Sequence, residues 1–202
     1  MFRLDERIKE LKEYNKIAKI DKIARRYFVM NSFDGVLAIL GVLVGSFIVE
    51  SDKRIALTTG LAAGIAMGIS GVWGAYFTER AERQLEIKEL EKATLSKLGA
   101  TRIGRAATAA VMIIAIIDGV APFLAVIIIL LPFFTLGSVL TARQLYLTSI
   151  TIGFFLLFVL GMFLGKLTKE NIIKTGIIMT FAGLLSAVLS YLLLGRHHII
   201  IG

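Results

Sequence analysis

The chain has 202 residues, 56% of them hydrophobic and only 19% charged, and the charges gather in short stretches between long apolar runs. A soluble helix needs only an apolar stripe, whereas a helix crossing the roughly 30 Å hydrocarbon layer must be apolar all round for about 20 residues, so this composition excludes a separate globular domain with its own core. The absence of cysteine removes disulfides, thiolate metal ligands and a cysteine nucleophile, and the formal charge of +8 fits the basic bias of cytoplasmic loops better than a nucleic-acid partner.

Residues 1–28 carry Leu4, Ile8, Leu11, Ile17, Ile20, Ile23 and Tyr27 at mostly three- and four-residue spacing among lysines and arginines. That pattern predicts an amphipathic helix lying on the membrane surface or on a partner helix. No small-residue cleavage pattern follows it, so the first span is expected to stay in the mature protein.

A five-span membrane domain is expected over residues 29–194, followed by a tail at 195–202. The first span, at 29–49, holds Asp34 as its one ionisable residue and ends at the polar turn Glu50 to Arg54. The second, at 55–78, carries glycines at 60, 64, 68, 71 and 74, which let neighbouring backbones approach closely in lipid. No proline or glycine interrupts the charged segment that follows, so the second helix should run on out of the membrane over 79–98, with Gly99 as its stop.

Residues 106–136 hold a single charge, Asp118, and are too few for two spans and a turn, so one long span is expected, kinked near Pro122 or Pro132. The fourth and fifth spans fall at 145–165 and 172–194. With five spans, nineteen of the 23 lysines and arginines lie on the side of the N-terminus and four on the other. Positive charge concentrates on the cytoplasmic side, which places the N-terminus and the extension of the second helix in the cytoplasm.

Buried ionisable groups are costly in a bilayer, at least about 2.5 kcal/mol on insertion scales, and so point to ions, water or partners. Asp34 shares a helix face with Met30 and neighbours Asn31. Thioether, amide and carboxylate together suit a partly dehydrated divalent cation of intermediate softness, while the plainer role for Asp34 is a cap or a bond to a neighbouring helix. Asp118 repeats the Asp-Gly-Val context of Asp34 and is either a second ion or proton site or a buried acceptor. Met67 lies near mid-membrane by its distance along the second helix, as packing or as a soft ligand.

Glu79, Glu82, Glu86 and Glu89 recur at three- and four-residue intervals and line one face of the extension. Hard oxygen ligands so arranged suit a divalent metal, although interleaved Arg80, Arg83, Lys88 and Lys92 also suit a solvated, ion-paired helix. His197 and His198 in the tail are at most weak metal ligands. A phosphate-cradling glycine loop with lysine and an HExxH motif are both missing, so neither an enzyme nor an ATP-driven pump is expected.

The run Asn31-Ser-Phe-Asp-Gly-Val36, followed by Leu37 to Gly45, resembles the Asn-Asp-Gly segment of the vacuolar iron transporter family. Gly60-Leu-Ala-Ala-Gly64 with Met67, the charged extension and Leu130-Leu-Pro-Phe133 continue the resemblance in the same order. The resemblance implies a secondary transporter in which Asp34 is the pathway carboxylate and Met67 the pathway methionine. The pairs Glu79xxGlu82 and Glu86xxGlu89 would then be the cytoplasmic metal-binding glutamates. It further implies ferrous iron or manganese as cargo, protons as counter-ion and a homodimer with the pathway between subunits; no permanent cofactor is expected, and the chain is expected as a multi-pass protein among the lipids of the cell membrane.

Two departures mark a divergent member. Gly71-Val72-Trp73 stands where the family has Gly-Glu-aromatic, leaving Asp118 as the replacement carboxylate, and the cytoplasmic portion is short. The alternative class is a membrane scaffold that binds partner proteins through the second span and the N-terminal helix.

Overall fold

The computed structural model describes the backbone of residues 2–201 and the side chains of residues 9–193. The side chains of Leu4, Ile8, His197 and His198 lie outside the described residues. All regular structure among the described residues is helical: α1 (Phe2–Ala18), α2 (Ile20–Ile48), α3 (Lys53–Thr94), α4 (Arg102–Thr135), α5 (Ala142–Thr168) and α6 (Ile172–Ile201). Five of them, α2 to α6, are long and apolar enough to cross a membrane, with mean hydropathies between 1.7 and 2.8. The expected all-α polytopic architecture is therefore present.

The N-terminal helix differs from expectation, because residues 1–28 are not one element. Lys19 takes a left-handed φ of 50°. Its N–H reaches the Asn15 carbonyl, while the Asn15 side chain accepts from the Asp21 N–H at 2.8 Å. The chain starts a new helix at Ile20, and with no breaker after it the turns carrying Tyr27 continue directly into the first span. An asparagine that can serve both turns is the local cause.

The extension of α3 is one unbroken helix with its span, as expected, but it stops at Thr94, four residues short of the predicted 98. Leu95 is left-handed at φ 50°, and the Glu91 carboxylate accepts from the N–H groups of Leu98 and Gly99. A side chain reaching back to satisfy loop donors ends the helix before the glycine does. Helix α4 carries Pro122 and Pro132 inside a single element, so 106–136 is one span.

The chain divides into two compact units, Met1–Phe28 with Ile69–Val120 and Val29–Gly68 with Ala121–Gly202. In the first, Tyr14, Ala18 and Ile20 pack on Ala106, Ala110 and Ile114. The alanines recur one turn apart on α4 and keep that face flat, so the bulkier residues of α1 and α2 settle onto it.

In the second unit, Val36, Ile39, Leu40 and Leu43 of α2 meet Val126, Ile129, Leu130 and Phe133 of α4 and Leu145, Leu157 and Leu160 of α5. Hydrocarbon tails are as apolar as these side chains, so close packing rather than water exclusion must hold such helices together. Helices α5 and α6 show how: a Cβ on Gly161 would stand 2.7 Å from the Gly176 Cα. At the end of this unit that carries few charges, Tyr146 donates to the Ser51 carbonyl at 3.0 Å and Lys53 Nζ to the Gly137 carbonyl at 2.6 Å. Phe47 and Phe133 pack edge-on against the Tyr146 ring.

Candidate functional site

In the first unit, Glu79 is the buried anion of α3, with 3% of its surface exposed at the point where the helix turns from apolar to charged. The Tyr27 hydroxyl of α2 donates to its carboxylate, and the carboxylates of Asp118 and Glu82 lie near enough to act on the same hydroxyl. Arg83, one turn on, stands with Nε 3.7 Å from Glu79 and Nη1 2.9 Å from Glu86. Its other terminal nitrogen donates to the Ala18 carbonyl at 3.3 Å, so one guanidinium ties the end of α1 to α3. A buried charge needs such partners, because removing either from water is costly.

Asp118 is also buried, at 5% exposure. Gly71 of α3 lies against this part of α4: a Cβ there would be 3.0 Å from both the Asp118 carbonyl oxygen and the Gly119 Cα. The backbone of α4 at Asp118 thus packs on the turn of α3 that carries Gly71. Glu82, Glu86 and Glu89 are exposed, with Glu86 turned to Arg83. Among the described residues no three Asp, Glu, His or Cys side chains converge into a set that could hold a metal ion within one chain.

In the second unit, Asp34 and Met30 are both exposed on one face of α2, Met30 at 56%, while Asn31 is half-buried. The next residues are anchored inward. Ser32 donates to the Ala121 carbonyl at 3.4 Å, and Gly35 lies against Pro122. Met67 is partly buried against the core of this unit.

The sequence reading placed the carboxylates but not the two groups that organise them. Tyr27 counted only as an apolar position, and nothing in its spacing signals a hydroxyl aimed at α3. Arg83 was legible as an ion-pair partner, since it lies four residues after Glu79 and three before Glu86; its bond to α1 was not, because that depends on the break at Lys19.

A family model described as the VIT family matches residues 25–101, the stretch that contains Asp34, Met67 and all four glutamates of the extension. An uncharacterised protein of Methanocaldococcus jannaschii is 36% identical over 171 residues, covering 83% of this chain and 87% of its own length. The family points to metal-ion transport across a membrane rather than to an enzyme. With five spanning helices and this match in the segment that bears its intramembrane carboxylate, the chain is an integral multi-pass membrane protein that belongs to the VIT family.

Proposed function

We propose that the protein is a secondary transporter that moves divalent transition-metal cations, ferrous iron or manganese, out of the cytoplasm in exchange for protons. The observation that carries this reading is Asp34, a carboxylate inside a spanning helix and within the matched family segment, exposed on the single chain beside Met30. A bare carboxylate facing hydrocarbon is unfavourable by several kcal/mol, roughly 2.5 or more, so an ion, water or a protein partner must meet it. Asn31 and Met67 supply the amide and the soft ligand, and Asp118 stands in for the glutamate absent at Val72. Protonation of a carboxylate ligand expels the metal, which couples the two fluxes.

Glu79, Glu82, Glu86 and Glu89 collect metal at the cytoplasmic mouth, an incoming cation displacing Arg83 from Glu79. A second copy of the chain supplies the ligands that one chain lacks. Along α3, Thr58, Ala62, Ala66, Ser70 and Gly74 recur every four residues and are all exposed, the small-residue face by which helices associate in lipid. The cell membrane is the natural location for such an exporter.

The test is uptake of ferrous iron and of manganese by liposomes containing the purified protein, with and without a pH gradient. The native chain should transport at least one of the two metals, faster when the gradient opposes it in sign, and Asp34→Asn should abolish transport. Absence of uptake under every gradient would favour a scaffold that binds partner proteins.

A further inference from the structure

Beside the buried Glu79, α3 and α4 line a half-open cavity of about 340 Å³ that Arg83 shares with the glutamate series. That is the lower end of the range for small-molecule sites. Its rim is polar, formed by Tyr76, Arg80, Arg83, Gln84 and Thr108, and its floor includes Val111 and Met112. The two arginines do not stand alike. Arg83 is shared between Glu79 and Glu86, and its Nε is buried without a hydrogen bond. Arg80 has no carboxylate within 4 Å among the described residues; its guanidinium lies 5.8 Å from the centre of the Tyr76 ring and donates to that hydroxyl at 3.1 Å. The ring thus holds a cation at the mouth without neutralising it.

The level of this cavity along the helices is equally telling. Trp73, Tyr76 and Phe77 form a contiguous aromatic cluster immediately before the charged extension of α3, which opens at Glu79, and Trp73 and Phe77 are exposed. Such aromatics settle at the headgroup boundary of a bilayer, so Arg80, one turn on, stands among phosphates and the apolar floor lies level with the first carbons of the acyl chains. A planar guanidinium fork matches a phosphate diester.

We infer that this cavity binds the phosphate of an anionic phospholipid, Arg80 and Gln84 meeting the headgroup and Val111 and Met112 the start of an acyl chain. The proposal does not depend on the transport reading, and its test involves no metal.

Trp73, the single tryptophan, is the reporter, since its ring lies 6.3 Å from the Tyr76 ring that lines the cavity. The full chain is placed in phosphatidylcholine bilayers containing a minor fraction of chain-brominated lipid, either phosphatidylglycerol or phosphatidylcholine, and quenching of Trp73 is compared. Brominated phosphatidylglycerol should quench more, with an apparent affinity roughly fivefold higher for one unneutralised arginine. Arg80→Gln and Gln84→Glu should each remove that preference, whereas Lys92→Gln, the same charge change on an exposed residue outside the cavity, should keep it. Equal quenching of the native chain by the two lipids, or a preference lost equally in Lys92→Gln, would overturn the proposal. Stabilisation by inorganic phosphate without any phosphatidylglycerol preference would assign the cavity to a free anion and overturn it also.

Discussion

Gly35 of α2 lies against Pro122 of α4 so closely that a Cβ on residue 35 would stand 2.7 Å from the Pro122 Cα and 2.8 Å from its carbonyl oxygen. These are backbone atoms, which cannot rotate aside as a side chain could. Gly35→Ala must therefore push the helices apart, at a cost of about 1–3 kcal/mol. Because Asp34 is the preceding residue, its carboxylate moves with the backbone. Thermal unfolding in detergent should show Gly35→Ala clearly less stable than the native chain, and uptake should fall with it. Pro122→Ala leaves the backbone contact in place and should cost much less. Equal stability of Gly35→Ala and the native chain would mean that this contact does not fix Asp34.

This contact also shows what the sequence could and could not tell. Hydropathy and charge were enough for the spans, the unbroken α3 and the single α4, because lipid imposes a demand on composition that each segment meets or fails by itself. The two misplaced boundaries, at Lys19 and Thr94, both turn on a side chain that reaches a nearby backbone donor, Asn15 in one case and Glu91 in the other. Such bonds leave no periodic trace. The pairing of Gly35 with Pro122 joins residues far apart in sequence, and neither residue announces its partner. Likewise Asp34 and the glutamate series were readable as acidic residues in unusual places, but the burial of Glu79 alone among the four depends on Tyr27 and Arg83.

The Tyr27–Glu79 bond should be measurable in stability. A hydrogen bond to a buried charge contributes about 1.5–3 kcal/mol, so Tyr27→Phe should lower the unfolding midpoint while keeping the ring's packing. Arg83→Ala should cost more, about 3–5 kcal/mol, because it leaves the buried Glu79 without its cation and the Ala18 carbonyl without a donor. Restoring balance through the double change Arg83→Ala with Glu79→Gln should recover part of that loss. If the double variant is no more stable than Arg83→Ala alone, Glu79 does not depend on the ion pair.

Tyr14 gives a pH dependence on α1. Its hydroxyl donates to the Glu10 carboxylate, and that bond, followed by burial, raises its pKa above the ordinary 10.0. A raised folded pKa means that the contribution to stability is complete below pH 10.0 and is lost as pH climbs through the folded value. Stability should therefore show an alkaline decline that is smaller in Tyr14→Phe, and difference absorbance should show one fewer late-ionising tyrosine in that variant than in the native chain. Glu10→Gln should bring that tyrosine back toward the ordinary value. A late-ionising population unchanged by both Tyr14→Phe and Glu10→Gln would refute the bond.

The small-residue face of α3 gives a direct test of self-association, since the chain has no cysteine of its own and single cysteines can be placed at will. Two α3 helices packed along Ala62, Ala66 and Ser70 bring equivalent backbones close enough for a disulfide, which needs Cα atoms about 4.4–6.8 Å apart. Ala66→Cys should oxidise to a covalent dimer in membranes. Leu189→Cys on α6, itself half exposed and deep in an apolar helix, should remain monomeric under the same oxidant and so controls for random collision. The native Ala66 is small enough that the cysteine adds little volume, so the fold should tolerate it. Cross-linking through Leu189 but not Ala66 would move the interface to α6.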